Sequence, residues 1–413
     1  MNIININDTS NKLFFVGGVV RDEILGIESF DVDMVYEGNA IEFVNDEVIH
    51  QDATLSTGHD SKSDLSQNDK FVIQINKPFG TVRVKIDGRE VDIASTRQEV
   101  YEKKGHLPTV TKIGCSLKED SLRRDFTINA LYKSVSTGEI IDPTGGLEDL
   151  KNKKIKVLHN KSFIDDPTRI LRALKFSIRF GFELDEHTKK LQDEYLNNIN
   201  YDMCYKRIKK ELIETFNLNS QKAFEKFIND RIYKLVTTRE ITLPNVNIEK
   251  VINEILSPGA ILHENKFSAK EGKQVQDDKK ISLPEIKHLW LIYVGILGDL
   301  SCLPLTKNEQ KIIDDFNSSG EPQNDFEIYK TFEKFSIETI LLYAILKNKD
   351  IAEKYLDKLR HIKLQINGDD LVQLGLKPSK KFSEIFDYVL RKKIENPTLT
   401  KKDEIELAKQ ILL

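Results

Sequence analysis

The chain of 413 residues has little of what would tie it to an oxidising compartment or a membrane. Its three cysteines, Cys115, Cys204 and Cys302, stand far apart and share no paired ligand spacing. That excludes a disulfide framework and a zinc knuckle, and it fits a reducing, cytoplasmic setting. Long apolar runs are missing too: the strongest, residues 289–297, is far shorter than the ~20 residues a helix needs to cross a bilayer. Residues 1–10 lack the basic-then-apolar layout of a signal peptide. Nor is positive charge in surplus. With 62 Lys and Arg against 66 Asp and Glu the formal net charge is -4, so a nucleic-acid partner would have to be met by a local basic face. No fixed-period repeat appears, which sets aside a solenoid. What is there is 39% hydrophobic residues over a length sufficient for two or more domains with real cores.

Two textures divide the chain. Up to about residue 150, short β-branched and aromatic runs alternate with Gly, Asp and Asn turns, and strands are predicted at 12–16, 31–36, 71–75, 81–86 and 90–94. A polar stretch at 56–69 reads as a loop. From Asp166 onward apolar residues recur every three and four positions, Gly and Pro become sparse, and Lys and Glu fill the gaps, so this half is mainly α. A second polar stretch, 264–280, interrupts the helices.

The most informative segment is 14–33, FFVGGVVRDEILGIESFDVD. An apolar strand runs into Gly17-Gly18, an amphipathic helix is predicted over 19–25, and a second strand carries Asp31 and Asp33. Side chains at i and i+2 of a strand share a face, so the two carboxylates point together into one site. They repel each other unless a cation lies between them, which suits Mg²⁺ held jointly with substrate phosphates. The diglycine lets a phosphate approach the backbone. A bare Asp-x-Asp is more often a solvated turn and a bare Gly-Gly only a turn. In combination, with Arg21-Asp22 between, they are the parts of a phosphoryl-transfer site.

Gly17-Gly18-Val19-Val20-Arg21-Asp22 followed by Asp31-Val32-Asp33 resembles the head-domain signature of class II tRNA nucleotidyltransferases and bacterial poly(A) polymerases. The resemblance implies that Asp31 and Asp33 are the catalytic metal ligands, and that Gly17, Gly18 and Arg21 bind nucleotide. Glu90-Val91-Asp92-Ile93-Ala94-Ser95-Thr96-Arg97 is similar to the family's next core strand. There Asp92 is either a third carboxylate near the metal or a structural strand-end residue, and Arg97 either contacts RNA or holds the loop that follows. Arg123-Arg124-Asp125-Phe126-Thr127-Ile128-Asn129-Ala130 resembles the motif that meets the ribose and triphosphate of the incoming nucleotide, through Arg124, Asp125 and Asn129. Arginine pairs well with phosphate, while Asp and Asn can hydrogen-bond sugar hydroxyls. A turn at Ile141-Asp142-Pro143-Thr144-Gly145-Gly146 is also seen in the family.

Residues 162–182, SFIDDPTRILRALKFSIRFGF, read as a strong helix start, with Asp166 as an acidic N-cap and Pro167 at the first helical position. Arg169, Arg172, Lys175 and Arg179 form one basic stripe, and Ile170, Leu171, Leu174 and Ile178 an apolar face. Such a stripe often serves solubility alone. Here the segment resembles the Glu/Asp-Asp-x-x-Arg motif with which class II enzymes read the base without a template, which implies that Asp166 and Arg169 contact the Watson–Crick edge of CTP or ATP and Arg172 the triphosphate. Lys175, where the family often has Arg, keeps the charge but loses the flat bidentate fork.

Beyond about Asn217 the signal fades, although residues 366–378, INGDDLVQLGLKP, resemble the tail segment of many CCA-adding enzymes. The resemblance implies an α+β nucleotidyltransferase head with a mixed sheet and helices (1–150), then an all-α neck (151–217) that recognises the base, then a helical body and tail (218–413) that binds tRNA. It also implies addition of C, C and A to the 3′ end of tRNA from CTP and ATP, with Mg²⁺ and without a membrane. Enzymes adding only CC or only A share the Asp165-Asp166-Pro167-Thr168-Arg169 form, but a loop of full length at 102–122 favours complete CCA addition. A poly(A) polymerase is disfavoured by the lack of a long basic C-terminal extension. The lone His59-Asp60 argues against phosphohydrolase activity, and the intact Asp-x-Asp against a silent RNA binder.

Overall fold

The structure, a computed structural model, describes residues 11–29, 31–49, 71–86, 88–199, 203–218, 220–256 and 286–411. The polar stretches at 56–69 and 264–280, and His59-Asp60, lie outside these residues. The chain folds as two compact units, the first holding Met1–Thr215 and Glu225–Arg239, the second Phe216–Phe224 and most of the chain beyond Glu240.

The first unit is built on a seven-stranded mixed sheet. Its strands are β1 (Leu13–Val16), β2 (Val32–Tyr36), β3 (Phe71–Asn76), β4 (Thr81–Ile86), β5 (Arg89–Ser95), β8 (Tyr132–Ser134) and β9 (Ile140–Ile141), in the order β3-β4-β5-β2-β1-β8-β9. Only β2 and β5 run parallel; the other neighbours are antiparallel. The two-residue period assigns the faces. In β4, Val82, Val84 and Ile86 are buried, and in β5, Val91, Ile93 and Ser95. With Leu13, Met34 and helix α2 (Ala40–Phe43) the apolar members form the core on one face. Each of these aliphatic side chains contributes roughly 1.5–3 kcal/mol by burial. Phe14, Val16, Val35, Leu117 and Tyr132 form a second core. Asp33, two residues from Val35, shares its face of β2.

All five predicted strands are present, shifted by no more than a residue at either end. The predicted helix after the diglycine is α1 (Gly18–Ile24), with Val19 and Val20 buried. The stretch 102–122, expected as a loop, is partly ordered: β7 (Thr109–Ile113) pairs with β6 (Arg97–Val100), and α3 (Leu117–Leu122) opens with a capping box of Ser116 and Glu119. The hairpin gave no apolar alternation because most of β7 is exposed.

Past the sheet, α4 (Gly146–Lys151) leads to α5 (Ser162–Asp165) and α6 (Thr168–Phe180). Helix α6 starts one residue later than expected, with Pro167 rather than Asp166 at the N-cap, although Asp166 Oδ1 still accepts the Thr168 amide at 3.1 Å. Gly181 closes it at φ 68°, a left-handed C-cap conformation that a side chain would strain. Then come α7 (Glu186–Asn197) and α8 (Tyr205–Phe216).

The second unit is helical. The apolar run at 289–297 forms the buried helix Leu289–Val294 and a 3₁₀ turn, packed with Ile337–Leu346 around Trp290, Tyr293 and Leu342. In the tail, Asn367 and Asp370 make a capping box on Gly368–Gln373, while Ile366, Leu371, Ile385, Val389 and Ala408 close a separate core. Among the described residues no helix is long and apolar enough to cross a membrane.

Candidate active site

A cleft of about 600 Å³ opens in the first unit. Gly17, Gly18, Asp31 and Asp33 line one side, and Asp166, Arg169, Arg172, Lys175 and Arg179 line another. Arg21, Arg97, Arg124, Asp125 and Asn129 lie in the same lining, so every residue singled out in the sequence faces this cleft except Asp92. Asp92 opens instead into a smaller recess of about 270 Å³, which shares Asp31 and Asp33 with the cleft.

Asp31 and Asp33 fall on one side of the β2 strand end, as their spacing requires. Among the described residues neither carboxylate makes an ion pair within the protein. Although the Asp33 side chain opens to the cleft, partial desolvation and then the negative charges of Asp92 and Asp31 raise its pKa above the usual carboxylate range, against the pull of Arg124 and Arg83. Two adjacent acids on one strand face fit a hard divalent ion such as Mg²⁺, which is bound through one or two carboxylates and completes its shell with water and phosphate oxygens. Among the described residues no group of three or more acidic, His or Cys side chains is arranged to hold a metal by protein atoms alone.

The diglycine sits where the backbone turns from β1 into α1. Gly17 has φ 73° and ψ -123°, a conformation open to glycine, and a Cβ there would lie 3.7 Å from Nη1 of Arg124. Arg124 is held from behind: its Nε and Nη2 donate to Asp120 Oδ2, and Nε also to the Tyr132 hydroxyl. Asp120 is fully buried and also accepts from Arg123 Nε and the Arg97 amide. Burial alone would raise its pKa, but Arg124 and Arg123 hold it down to about 2.

Asp125 ties the loop to helix α6. Its Oδ1 accepts the Phe126 amide at 2.8 Å and Asn129 Nδ2 at 3.0 Å, and its Oδ2 accepts Arg172 Nε at 2.8 Å and Nη2 at 2.6 Å. Burial pushes this pKa up too, and Arg172 with the Asn129 bond brings it to about 2. The turn at 141–146 supports the loop from below. Asp142 accepts the amides of Thr144, Gly145, Gly146 and Leu147. A Cβ on Gly146 would fall 2.3 Å from the Thr127 carbonyl oxygen, so only glycine fits.

Arg21 is only 3% exposed. Its guanidinium donates to Asp22 Oδ1 through Nε and Nη2 and to Asn129 Oδ1 through Nη1, and it lies over Phe180 at 4.5 Å. Asp22 in turn accepts Arg179 Nη2 at 3.1 Å, tying α1 to α6. Arg97 is likewise engaged, donating to Glu99 on its own strand and to the Phe79 carbonyl.

At the start of α6, Asp166, just before the helix, is 6% exposed and Arg169, in its first turn, is 3% exposed. Asp166 Oδ1 also accepts the Thr168 hydroxyl, and Oδ2 accepts Arg207 Nη2 at 2.5 Å. Arg169 donates to Ser162, to the Arg123 carbonyl and to the Tyr101 hydroxyl, leaving Nε and one Nη1 hydrogen for a ligand. Lys175 is paired with Glu211 and Glu214. Three of the four basic residues of the stripe, Arg172, Lys175 and Arg179, are therefore paired with acids within the protein rather than simply offered to phosphate.

Sequence reasoning missed Asp120, Arg207 and Glu211. Asp120 precedes Arg123 and Arg124 by three and four residues, a spacing that brings side chains together on a helix and could have been read. Arg207 lies 41 residues from Asp166, and no local period links them.

Residues 13–156 match the Poly A polymerase head domain. Over 401 residues the chain is 31% identical to the A-adding tRNA nucleotidyltransferase of Aquifex aeolicus, matching 89% of this chain and 43% of that one. It thus spans less than half the length of that curated relative. It is 27% identical over 420 residues to the A-adding tRNA nucleotidyltransferase of Halalkalibacterium halodurans, covering 97% of this chain and 88% of the other. A solved CCA-adding enzyme in an apo form superposes with a TM-score of 0.72 at 26% identity, over 97% of this chain and 92% of that one. The chain is thus similar to tRNA nucleotidyltransferases over nearly its whole length, and to the head domain of poly(A) polymerases over residues 13–156.

Proposed function

We propose that this protein is a cytoplasmic tRNA nucleotidyltransferase that adds C, C and A to the 3′ end of tRNA from CTP and ATP, releasing pyrophosphate. The observation that carries the proposal is one cleft in which Asp31 and Asp33, without an ion pair among the described residues, share a lining with Asp166, Arg169 and Arg172. Asp31 and Asp33 would hold Mg²⁺, which when bound neutralises triphosphate charge and favours deprotonation of the attacking 3′-hydroxyl. Arg124 faces the Gly17 turn and, with Arg172, receives the triphosphate. Asp125 and Asn129 hold these two walls together; both Asp125 oxygens are taken, so a ribose hydroxyl would be met by the second Nδ2 hydrogen of Asn129. At the base, Asp166 accepts from the exocyclic amine that C and A share, and Arg169 donates to the adjacent ring or carbonyl acceptor. Arg207 keeps the Asp166 carboxylate in place.

A second reading, addition of the terminal A alone, is favoured by the names of relatives that match nearly the whole chain. One assay separates them: purified protein with tRNA lacking its 3′ CCA, or ending in CC, and labelled CTP or ATP singly and together. C, C and A incorporated in turn supports the first reading. A added only to tRNA ending in CC supports the second, C alone a CC-adding enzyme, and long A tails a poly(A) polymerase. No incorporation overturns the proposal.

A further inference from the structure

Asp33, Asp92 and Arg83 form one row across three neighbouring strands. Asp33 on β2 is in register with Asp92 on β5, and Asp92 is in register with Arg83 on β4. Neighbouring strands lie ~4.8 Å apart, so Asp92 is one strand away from Asp33, within reach of any cation held there. The arginine stands one strand further. Its fork is closed on Asp92: Nε donates to Oδ1 at 2.7 Å and Nη2 to Oδ2 at 2.8 Å, while Nη1 lies 3.9 Å from Glu90. Asp31, Asp33, Arg83, Glu90 and Asp92 together line the small recess.

From this geometry, and resting on the metal reading above, we propose that Arg83 is a positioning residue. It holds Asp92 out of the cation's coordination in the free protein and leaves Asp31 and Asp33 as its protein ligands. The bidentate guanidinium takes both oxygens of Asp92 in the plane where a cation would otherwise bind. It also cancels the third negative charge, so the free site attracts a divalent ion with two carboxylates rather than three. The pair is half exposed on both sides, which keeps it openable, and screened pairs of this kind hold weakly.

The test is Mn²⁺ binding to the full-length protein without nucleotide, read as the loss of the free-ion electron paramagnetic resonance signal. Arg83→Gln releases Asp92 and removes a nearby positive charge, and is expected to tighten Mn²⁺ binding about fivefold or more. The double variant Arg83→Gln with Asp92→Asn removes the neutral pair as a unit, and its affinity is expected within about twofold of the parent. If Arg83→Gln binds Mn²⁺ no more tightly, or the double variant binds about tenfold more weakly, Asp92 is not controlled by Arg83 and the inference is overturned. Asp31→Asn separates the two levels. A large loss of Mn²⁺ affinity there supports the metal reading, whereas parental affinity would overturn that reading and this inference with it.

Discussion

The two sides of the cleft handle charge in opposite ways. On the sheet side Asp31 and Asp33 stand side by side without an ion pair among the described residues, and the pKa of Asp33 is raised by its surroundings. On the side of α6 nearly every charge already has its opposite. Arg172 is locked on Asp125, Arg207 on Asp166, Lys175 on Glu211 and Glu214, and Arg179 on Asp22. A side with unmet negative charge is suited to take up a cation as a reacting group. A side whose donors and acceptors are fixed beforehand is suited to tell one base edge from another, because its groups need not rearrange on binding.

This contrast breaks most visibly under substitution of Asp31 and Asp33. Asp31→Ala or Asp33→Ala is expected to lower nucleotide incorporation by about a thousandfold or more, equivalent to ~4 kcal/mol of transition-state stabilisation. Filter binding should meanwhile find tRNA affinity within about twofold. Equal loss of both would move these acids out of the catalytic role. The same two sites should cost nothing in folding. Asp33 has a raised pKa, so its ionised form is disfavoured in the fold at neutral pH, and Asp33→Asn should leave the melting temperature unchanged or higher.

The paired side should answer in the reverse order. Asp125→Asn removes the buried carboxylate that holds the half-buried Arg172, leaving that arginine, among the described residues, only Glu211 at 3.8 Å, and should lower stability by about 1–3 kcal/mol, read as a shifted urea midpoint. A comparable loss, about 1–3 kcal/mol, is expected of Gly146→Ala, because the added methyl collides with the Thr127 carbonyl beneath the nucleotide loop. The mildest signature is in acid. Asp120 and Asp125 are both held at about 2 in the fold, against about 3.9 in an unfolded chain. Their contribution is fully present above about pH 4 and is lost as the pH falls from there toward 2. Unfolding followed over that window should steepen for the parent and flatten for Asp120→Asn.

What could be read in the sequence depended on whether the signal was local. The five predicted strands and the shared face of Asp31 and Asp33 follow from a two-residue period, and the α6 start, to within one residue, from an acid beside a proline. The β6–β7 hairpin escaped because its exposed residues carry no apolar alternation. Arg21 shows another limit. Its place in the signature pointed to the nucleotide, yet its guanidinium is enclosed by Asp22, Asn129 and two phenylalanines, most of them more than a hundred positions away. The Arg83–Asp92 pair was hidden in the same manner, since it depends on the register of β4 against β5.

The most direct measurement is a crystal structure of the protein soaked with Mn²⁺ and a non-hydrolysable CTP analogue, with the metal located by anomalous scattering. The predicted result is a peak within bonding distance of both Asp31 and Asp33, the triphosphate reaching Arg124, and the cytosine edge set against Asp166 and Arg169. A metal elsewhere than between those two acids, or a base turned away from α6, would contradict it.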